Sequence, residues 1–127
     1  MEPFSTAQNR DEQLTCCPRV VRLGGSIYVS GTTGTDELGR VVGIGDAQAQ
    51  FIQALKNVEI ALATVGADRR HIVSVRVLVL TDSHRELVRQ AYQMFFGETA
   101  PPLSFLIVQS LLDPLLLVEV EADAVLT

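Results

Sequence analysis

The chain has little of several residue types, and each scarcity narrows what the protein can be. It has no tryptophan, and Lys56 is the only lysine among its ten basic residues. The formal net charge is −5, and the arginines are scattered along the sequence. Nucleic acids and anionic membranes both bind clustered lysine and arginine. We therefore expect neither a nucleic acid nor a membrane as the main partner.

Long apolar runs and metal-binding patterns are also missing. No segment approaches the roughly 20 apolar residues that span a bilayer, and the N-terminus lacks the basic and then apolar layout of a signal peptide, which predicts a cytoplasmic protein. His71 and His84 have no partner at metal-ligand spacing, so no metal site is expected. Cys16 and Cys17 are neighbours, which rarely bond to each other. We interpret them as small residues before a strand, with a redox role as the alternative.

What is present indicates one folded domain. Of 127 residues, 47% are hydrophobic and 20% are charged, which is the composition of an ordinary globular protein. We assign a single domain to residues 1–127. Residues 1–17 are polar and mixed, and we expect them to form a loosely held N-terminal arm.

Two amphipathic helices are predicted from apolar residues that recur every three or four positions. The first follows Asp46, a candidate N-cap, and ends near Gly66. Its apolar face comprises Phe51, Leu55, Val58, Leu62 and Val65. The second opens with a predicted capping box at residues 83–86 and stops at Gly97. Its apolar face comprises Leu87, Val88, Ala91, Met94 and Phe95.

Alternating apolar residues and turn signals predict the strands. The predicted segments are 20–23, 27–30, a short piece at 40–42, 71–80, 104–109 and 117–126. In the fourth of these, Val73, Val75, Val77 and Val79 share one face and Ser74, Arg76 and Leu78 the other. A strand after each helix implies parallel crossovers, whereas the first and last strand pairs are expected to form hairpins. The result is an α+β fold with one mixed sheet of about six strands and both helices on one face.

The other face of this sheet is predicted to be half apolar and half charged. In the last strand, Val118, Val120, Ala122 and Ala124 would pack under the helices, and Leu117, Glu119, Glu121, Asp123 and Val125 would point away. We expect Arg76 to pair with an acidic residue there. A face of this kind on a small domain predicts a subunit interface, and hence an oligomer.

Several short motifs, in this order and spacing, resemble the RidA/YjgF family. They are Ser30-Gly31-Thr32, Gln50-x-x-Gln53-x-x-x-Asn57, Tyr92-x-x-Phe95-Phe96 and Val118-Glu119-Val120-Glu121-Ala122, and the resemblance runs from about Val20 to Val125. It implies a chorismate-mutase-like fold and a homotrimer with three clefts between subunits. The best-known members hydrolyse reactive enamines and imines, such as 2-aminoacrylate, to a keto acid and ammonia. They need no metal or organic cofactor, so the resemblance implies none here.

The resemblance also assigns candidate site residues. Glu119 matches the family's water-handling glutamate, and Ser30 and Gly31 match an edge of its pocket. Thr32 is a further candidate hydrogen-bond donor. From the residues alone, a solvated or interface charge is the favoured interpretation of Glu119, and only the resemblance gives the role in handling water equal weight. The hydroxyls of Ser30 and Thr32 equally satisfy backbone groups where a strand ends.

Four positions depart from the family pattern. Leu103, just before Ser104, stands where the family has an arginine that binds the substrate carboxylate. Phe105 replaces a pocket cysteine, Cys17 a pocket tyrosine and Arg89 a helix asparagine. Arg89 is either a relocated anchor for an anionic substrate or an ordinary exposed helix arginine.

The loss of the arginine changes the expected ligand. Removing one partner of a buried charge pair costs roughly 2–5 kcal/mol, which is about 30-fold to several-thousand-fold in affinity. Leu103 and Phe105 instead favour apolar ligand surface. We expect the usual 2-imino acids to bind poorly.

Two functions of different kinds remain open from the sequence. One is hydrolysis of a small imine or enamine, with Glu119 positioning water. The other is a non-catalytic trimer, either chaperone-like or binding a small molecule in its clefts. Ribonuclease activity, which has been attached to relatives, is disfavoured by the negative charge and the scattered arginines.

Overall fold

One mixed sheet carries both helices in the computed structural model, which describes residues 4–6 and 18–127. Its strands are β1 (Phe4–Thr6), β2 (Val20–Leu23), β3 (Ser26–Thr32), β4 (Ile72–Val79), β5 (Leu103–Ile107) and β6 (Val118–Val125), and its helices are α1 (Ala47–Ala63) and α2 (Arg85–Phe96). The short β1, inside the predicted N-terminal arm, pairs antiparallel with β2 at one edge. The rest of that arm, including Cys17, lies outside the described residues.

The strand order is β1-β2-β3-β6-β4-β5, and it corrects one predicted connection. The β2–β3 hairpin and the parallel crossover from β4 through α2 to β5 are confirmed. The predicted hairpin between the last two strands is wrong, because β6 pairs antiparallel with both β3 and β4. The residues of β6 that face the helices are almost fully buried along the whole strand. This burial is expected for a strand that has a neighbouring strand on each side. The predicted piece at 40–42 joins no sheet strand and forms a single bridge between Val41 and Thr35.

Helix α1 follows its predicted pattern. The Asp46 carboxylate accepts a hydrogen bond from the N–H of Ala49 at 3.0 Å, as an N-cap does. Gly66, at φ +86°, lies just after the helix in a conformation that glycine adopts without strain. All five residues of the predicted apolar face are buried. No helix in the described part of the chain is long and apolar enough to cross a bilayer.

Helix α2 differs from its prediction at its start and on its buried face. A 3-10 turn at Asp82–His84 precedes it, and Thr81 Oγ1 caps that turn by accepting from the N–H of Ser83. The predicted capping box with Ser83 as N-cap is wrong, because Ser83 lies within the 3-10 turn and α2 begins only at Arg85, after His84, which makes no side-chain cap bond. The buried residues are Val88, Ala91 and Tyr92. Leu87 and Met94, by contrast, are 43% and 80% exposed, because they lie beside the stripe that packs on the protein.

A β-bulge corrects the predicted faces of β4. Its register with β6 shifts between Ile72 and Ser74, which places Ile72 in the core and leaves Val73 48% exposed. Val75, Val77 and Val79 face the helices as predicted. The face of the sheet away from the helices is called the open face below.

Two buried amides of α1 hold the loops that lead into and out of the central strands. Gln50 is fully buried, and its Nε2 donates to the carbonyls of Gly43 and Leu115 at 3.2 and 3.1 Å. Its Oε1 accepts from the N–H of Leu117, two residues before Glu119. Asn57 Nδ2 donates to the carbonyl of Thr33 at 2.8 Å. These bonds position the ends of β3 and β6, where the predicted site residues lie.

Candidate functional site

Glu119 and Gly31 lie against each other where β3 and β6 meet. The pairing of these strands shifts between Val29 and Thr32, so β3 carries an extra residue at this point. A Cβ atom built on Gly31 would lie 2.8 Å from Cδ and 2.9 Å from Oε1 of Glu119. Such distances are shorter than real side-chain contacts. The backbone therefore comes this close to the carboxylate because position 31 has no side chain.

The hydroxyls beside Gly31 bond to backbone carbonyls. Ser30 Oγ donates to the carbonyl of Arg19 at 3.0 Å, and Thr32 Oγ1 donates to the carbonyl of Ser30 at 2.8 Å. Thr32 is fully buried, whereas Ser30 is exposed on the open face. Both hydroxyls thus make the backbone bonds that were the alternative to a role at the pocket rim.

Arg76 binds the two other acidic residues of β6 on the open face. Its Nε donates to Glu121 Oε1 and its Nη1 to Asp123 Oδ2, both at 2.9 Å, as predicted for Arg76. Ser74 Oγ donates to Asp123 as well. The hydrogen bond from Arg76 is the main reason that the pKa of Asp123 lies below its usual value.

The surroundings of Glu119 differ from those of the other two carboxylates. Across the sheet, Glu119 pairs with Leu78 of β4, and Leu78 pairs with Leu106 of β5. Its row on the open face therefore continues into apolar residues, whereas the next row continues from Glu121 to Arg76. An open depression of about 280 Å³ lies on this face, and Ser30, Arg76 and Asp123 help to line it.

The β5 candidates are placed by the end of α2. Tyr92 donates its hydroxyl to the carbonyl of Pro101 at 2.8 Å, which ties the start of β5 to the helix. In the parallel register, Leu103 pairs with Val75 and Phe105 with Val77, both core-facing residues. Leu103 and Phe105 accordingly pack on the helix side of the sheet and are partly buried.

Within one chain, the structure therefore does not bring all of the predicted site residues together. Glu119, Gly31 and Ser30 meet on or beside the open face. Leu103 and Phe105 lie on the other face, at the edge strand. Ser104 alternates with them and pairs with Arg76, which is on the open face.

Arg89 is engaged within its own helix, which binds all three of its guanidinium nitrogens. Nε and Nη2 donate to the two carboxylate oxygens of Glu86, and Nη1 donates to Gln93 Oε1 at 2.9 Å. The hydrogen bond from Arg89 also lowers the pKa of Glu86.

A different arginine, missed from the sequence, contacts the β5 candidates. The guanidinium carbon of Arg85 lies 5.2 Å from the centroid of the Phe105 ring. Arg85 is four residues before Arg89 and hence on the same side of α2, which is the one signal that the sequence offered. The contact itself depends on how α2 packs across β5.

The residues 4–6 and 18–127 contain no group of three His, Cys, Asp or Glu side chains arranged to hold a metal ion. The candidate site consists of a carboxylate against a glycine, apolar rows and backbone groups.

A mixed sheet with two helices on one face, and this β3–β6 junction, define an α+β protein of the chorismate-mutase-like class. The model of a family described as endoribonuclease L-PSP matches residues 16–126. Solved structures that resemble this chain carry the family names YjgF and RidA. The chain belongs to this family, the RidA/YjgF family.

Three solved structures illustrate the similarity. Rv2704 from Mycobacterium tuberculosis, described as a member of the YjgF/YER057c/UK114 family, is 32% identical over 98% of this chain and 100% of its own, with a TM-score of 0.86. E. coli TdcF with bound serine is 25% identical over 87% of each chain, with a TM-score of 0.79. RidA from the Antarctic bacterium Psychrobacter sp. PAMC 21119 is 21% identical over 86% of this chain and 87% of its own; its TM-score of 0.80 shows the shared fold.

Proposed function

We propose that this protein is a cytoplasmic homotrimer that hydrolyses a small imine or enamine in clefts between its subunits. Glu119 positions the attacking water, and no cofactor takes part. The observation that carries the proposal is the Glu119 carboxylate packed against the backbone of Gly31. A carboxylate in this position can accept a proton, and the bare glycine lets a flat substrate approach the backbone.

The chemistry requires little beyond these groups. The oxygen of water adds to the imine carbon while Glu119 accepts the proton that the water loses. The protonated Glu119 then returns this proton to the nitrogen. Glu119 next takes the proton of the added hydroxyl group and passes it to the nitrogen as well, so that the carbon–nitrogen bond breaks and ammonia leaves as the carbonyl forms. One imine and one water thus give one carbonyl compound and one ammonia. An enamine enters the same sequence after a proton is added to its carbon.

The placement of the candidates supports a cleft between subunits. Leu103 and Phe105 face the helix side of β5, whereas Glu119 faces the open side of β6. A cleft that uses both sets must take them from different chains. The open face also exposes large apolar side chains such as Leu106 and Tyr28 beside its charges, and a neighbouring subunit would cover them.

The substrate proposed here is not one of the usual 2-imino acids. Leu103 offers no donor to a substrate carboxylate, and it is partly buried together with Phe105. A substrate carboxylate placed beside these apolar side chains would lose its hydration, and Leu103 provides no hydrogen bond to offset this cost in free energy. An imine or enamine whose reacting group is joined to an apolar segment, and not directly to a carboxylate, fits these residues better.

The proposal is tested by following ammonia release from freshly generated benzaldimine. Glu119→Gln should lower kcat by about 10²-fold or more, the usual contribution of a positioned acid–base group. Glu121→Gln, on the same face of the same strand, is the matched control and should keep most of the activity. Equal rates for wild type and Glu119→Gln would contradict the proposal. Binding of the ligand without turnover would identify the non-catalytic trimer instead.

A further inference from the structure

We infer that Arg85 binds an anionic group of the ligand at the β5 edge, while Phe105 and Leu103 contact its apolar part. The inference rests on the proposed function, because it takes this edge as one wall of the cleft. It assigns the role of the missing arginine to a residue that the sequence pattern did not suggest.

The first argument is the contact itself. Arg85 begins α2, and its guanidinium lies over the ring of Phe105, which is partly buried and shares a face of β5 with Leu103. A guanidinium at this distance from an aromatic ring is held by cation–π attraction. The two side chains together present a charged end and an apolar floor to a ligand lying along β5.

The second argument is the number of hydrogen-bond donors that remain. Asp82 Oδ1 accepts from Arg85 Nη2 at 2.6 Å, and both side chains are 64% exposed. This ion pair uses one nitrogen of a group that has five N–H donors. Asp82 therefore holds the guanidinium in place while donors stay available to a carboxylate. Arg89 differs, since its own helix engages all three of its nitrogens.

The third argument is electrostatic. A cation in the first turn of a helix meets the positive end of the helix dipole, which opposes it. Arg85 therefore gains nothing from the dipole, and Asp82 only offsets this cost. An anion bound beside Arg85 would gain from both the guanidinium and the helix N-terminus.

The position of Arg85 also indicates the shape of the ligand. Phe105 lies two residues after Leu103, which is about 6–7 Å along a strand. An anion bound at Arg85 is displaced by about this distance from one bound at position 103. The ligand class is therefore a carboxylate separated by an apolar spacer from the group that reacts, unlike a 2-imino acid, in which the two are adjacent.

The test measures binding to the full-length protein by isothermal titration calorimetry, with hexanoate as the probe and hexanamide as its neutral counterpart. We expect wild type to bind hexanoate more tightly than hexanamide. Arg85→Gln should weaken hexanoate binding about tenfold and leave hexanamide unchanged. Arg70→Gln is the matched control, because Arg70 is also an exposed arginine held by an aspartate, Asp68. Arg70 precedes the start of β4, whereas Arg85 follows the end of that strand.

Three results would overturn the inference: no binding of hexanoate by wild type, equal binding by Arg85→Gln, or loss of binding in Arg89→Gln instead. The proposed hydrolysis is tested separately, because Glu119→Gln should lose turnover yet bind hexanoate as wild type does. Hexanoate binding that depends on Arg85, in a protein that hydrolyses no imine, would support the inference and reject the hydrolysis.

Discussion

Gly31 shows how the absence of one side chain defines a site. Its φ is outside the left-handed region, so the backbone conformation alone would accept an alanine at this position. What excludes a side chain is the Glu119 carboxylate less than 3 Å from where a Cβ would be. The short Ser-Gly and Glu motifs predicted both residues from the sequence. Their contact depends on the bulge in β3, which no local sequence pattern predicted.

Gly31→Ala should therefore impair turnover far more than folding. The new methyl group displaces the flexible end of Glu119, which costs little stability but moves the group that is proposed to position water. We expect ammonia release from benzaldimine to fall at least about tenfold, with a thermal midpoint within a few degrees of wild type. Unchanged turnover would show that the position of this carboxylate does not matter.

Arg85 marks the limit of residue-by-residue reasoning. The resemblance implies an arginine where this chain has Leu103, and it places Arg89 at a helix position of the site, so Arg89 was the substitute that the sequence suggested. The contact between Arg85 and Phe105 arises from two elements that are separate in sequence and packed in space. Periodicity within either element contains no information about it.

At the scale of elements, the predictions were most accurate for helices and strands whose apolar residues all lie on one buried face. Helix α1 packs with a single apolar face on the sheet and on α2, and the sequence pattern of α1 predicted this face correctly. Helix α2 has apolar residues on two adjacent stripes, and only the stripe through Val88, Ala91 and Tyr92 is covered. The central place of β6 was missed because strand order is decided by packing between distant segments, not by local alternation.

The Gln50 and Asn57 motif has a structural explanation at this scale. Gln50 makes three hydrogen bonds to backbone groups of two loops from a fully buried position. Gln50→Ala should leave these groups unpaired and lower the free energy of unfolding by about 3 kcal/mol, measured by urea denaturation. Lys56→Ala, exposed on the same helix, should change it by less than about 0.5 kcal/mol. A similarly small change in the free energy of unfolding for both variants would contradict the role of Gln50 in holding these two loops.

At the scale of the whole molecule, the two faces of the sheet have different tasks. The helix side holds the core, and the open side combines the Arg76 ion pairs with exposed leucines and a tyrosine. The alternation of β6 predicted this division correctly. The proposed trimer would involve surfaces from several chains, and for the number of subunits the sequence offered only the resemblance.

Assembly should depend on the open face and not on the helices. We expect a solution mass about three times the 13.8 kDa of one chain, by light scattering. Leu106→Glu should reduce this mass, because it would place a charge in the covered surface. Met94→Glu, at a more exposed apolar residue on α2, should not. Dissociation by Met94→Glu alone would place the interface on the helices.

The central claim is that Glu119 positions water for imine hydrolysis, and that Leu103 makes the usual 2-imino acids poor substrates. The most direct measurement is kcat/KM for ammonia release from 2-iminobutyrate by wild type, Leu103→Arg and Leu103→Arg with Glu119→Gln. The account predicts slow turnover by wild type, a gain of at least about tenfold in Leu103→Arg, and loss of that gain when Glu119 is replaced. Rapid wild-type turnover that neither substitution changes would contradict it.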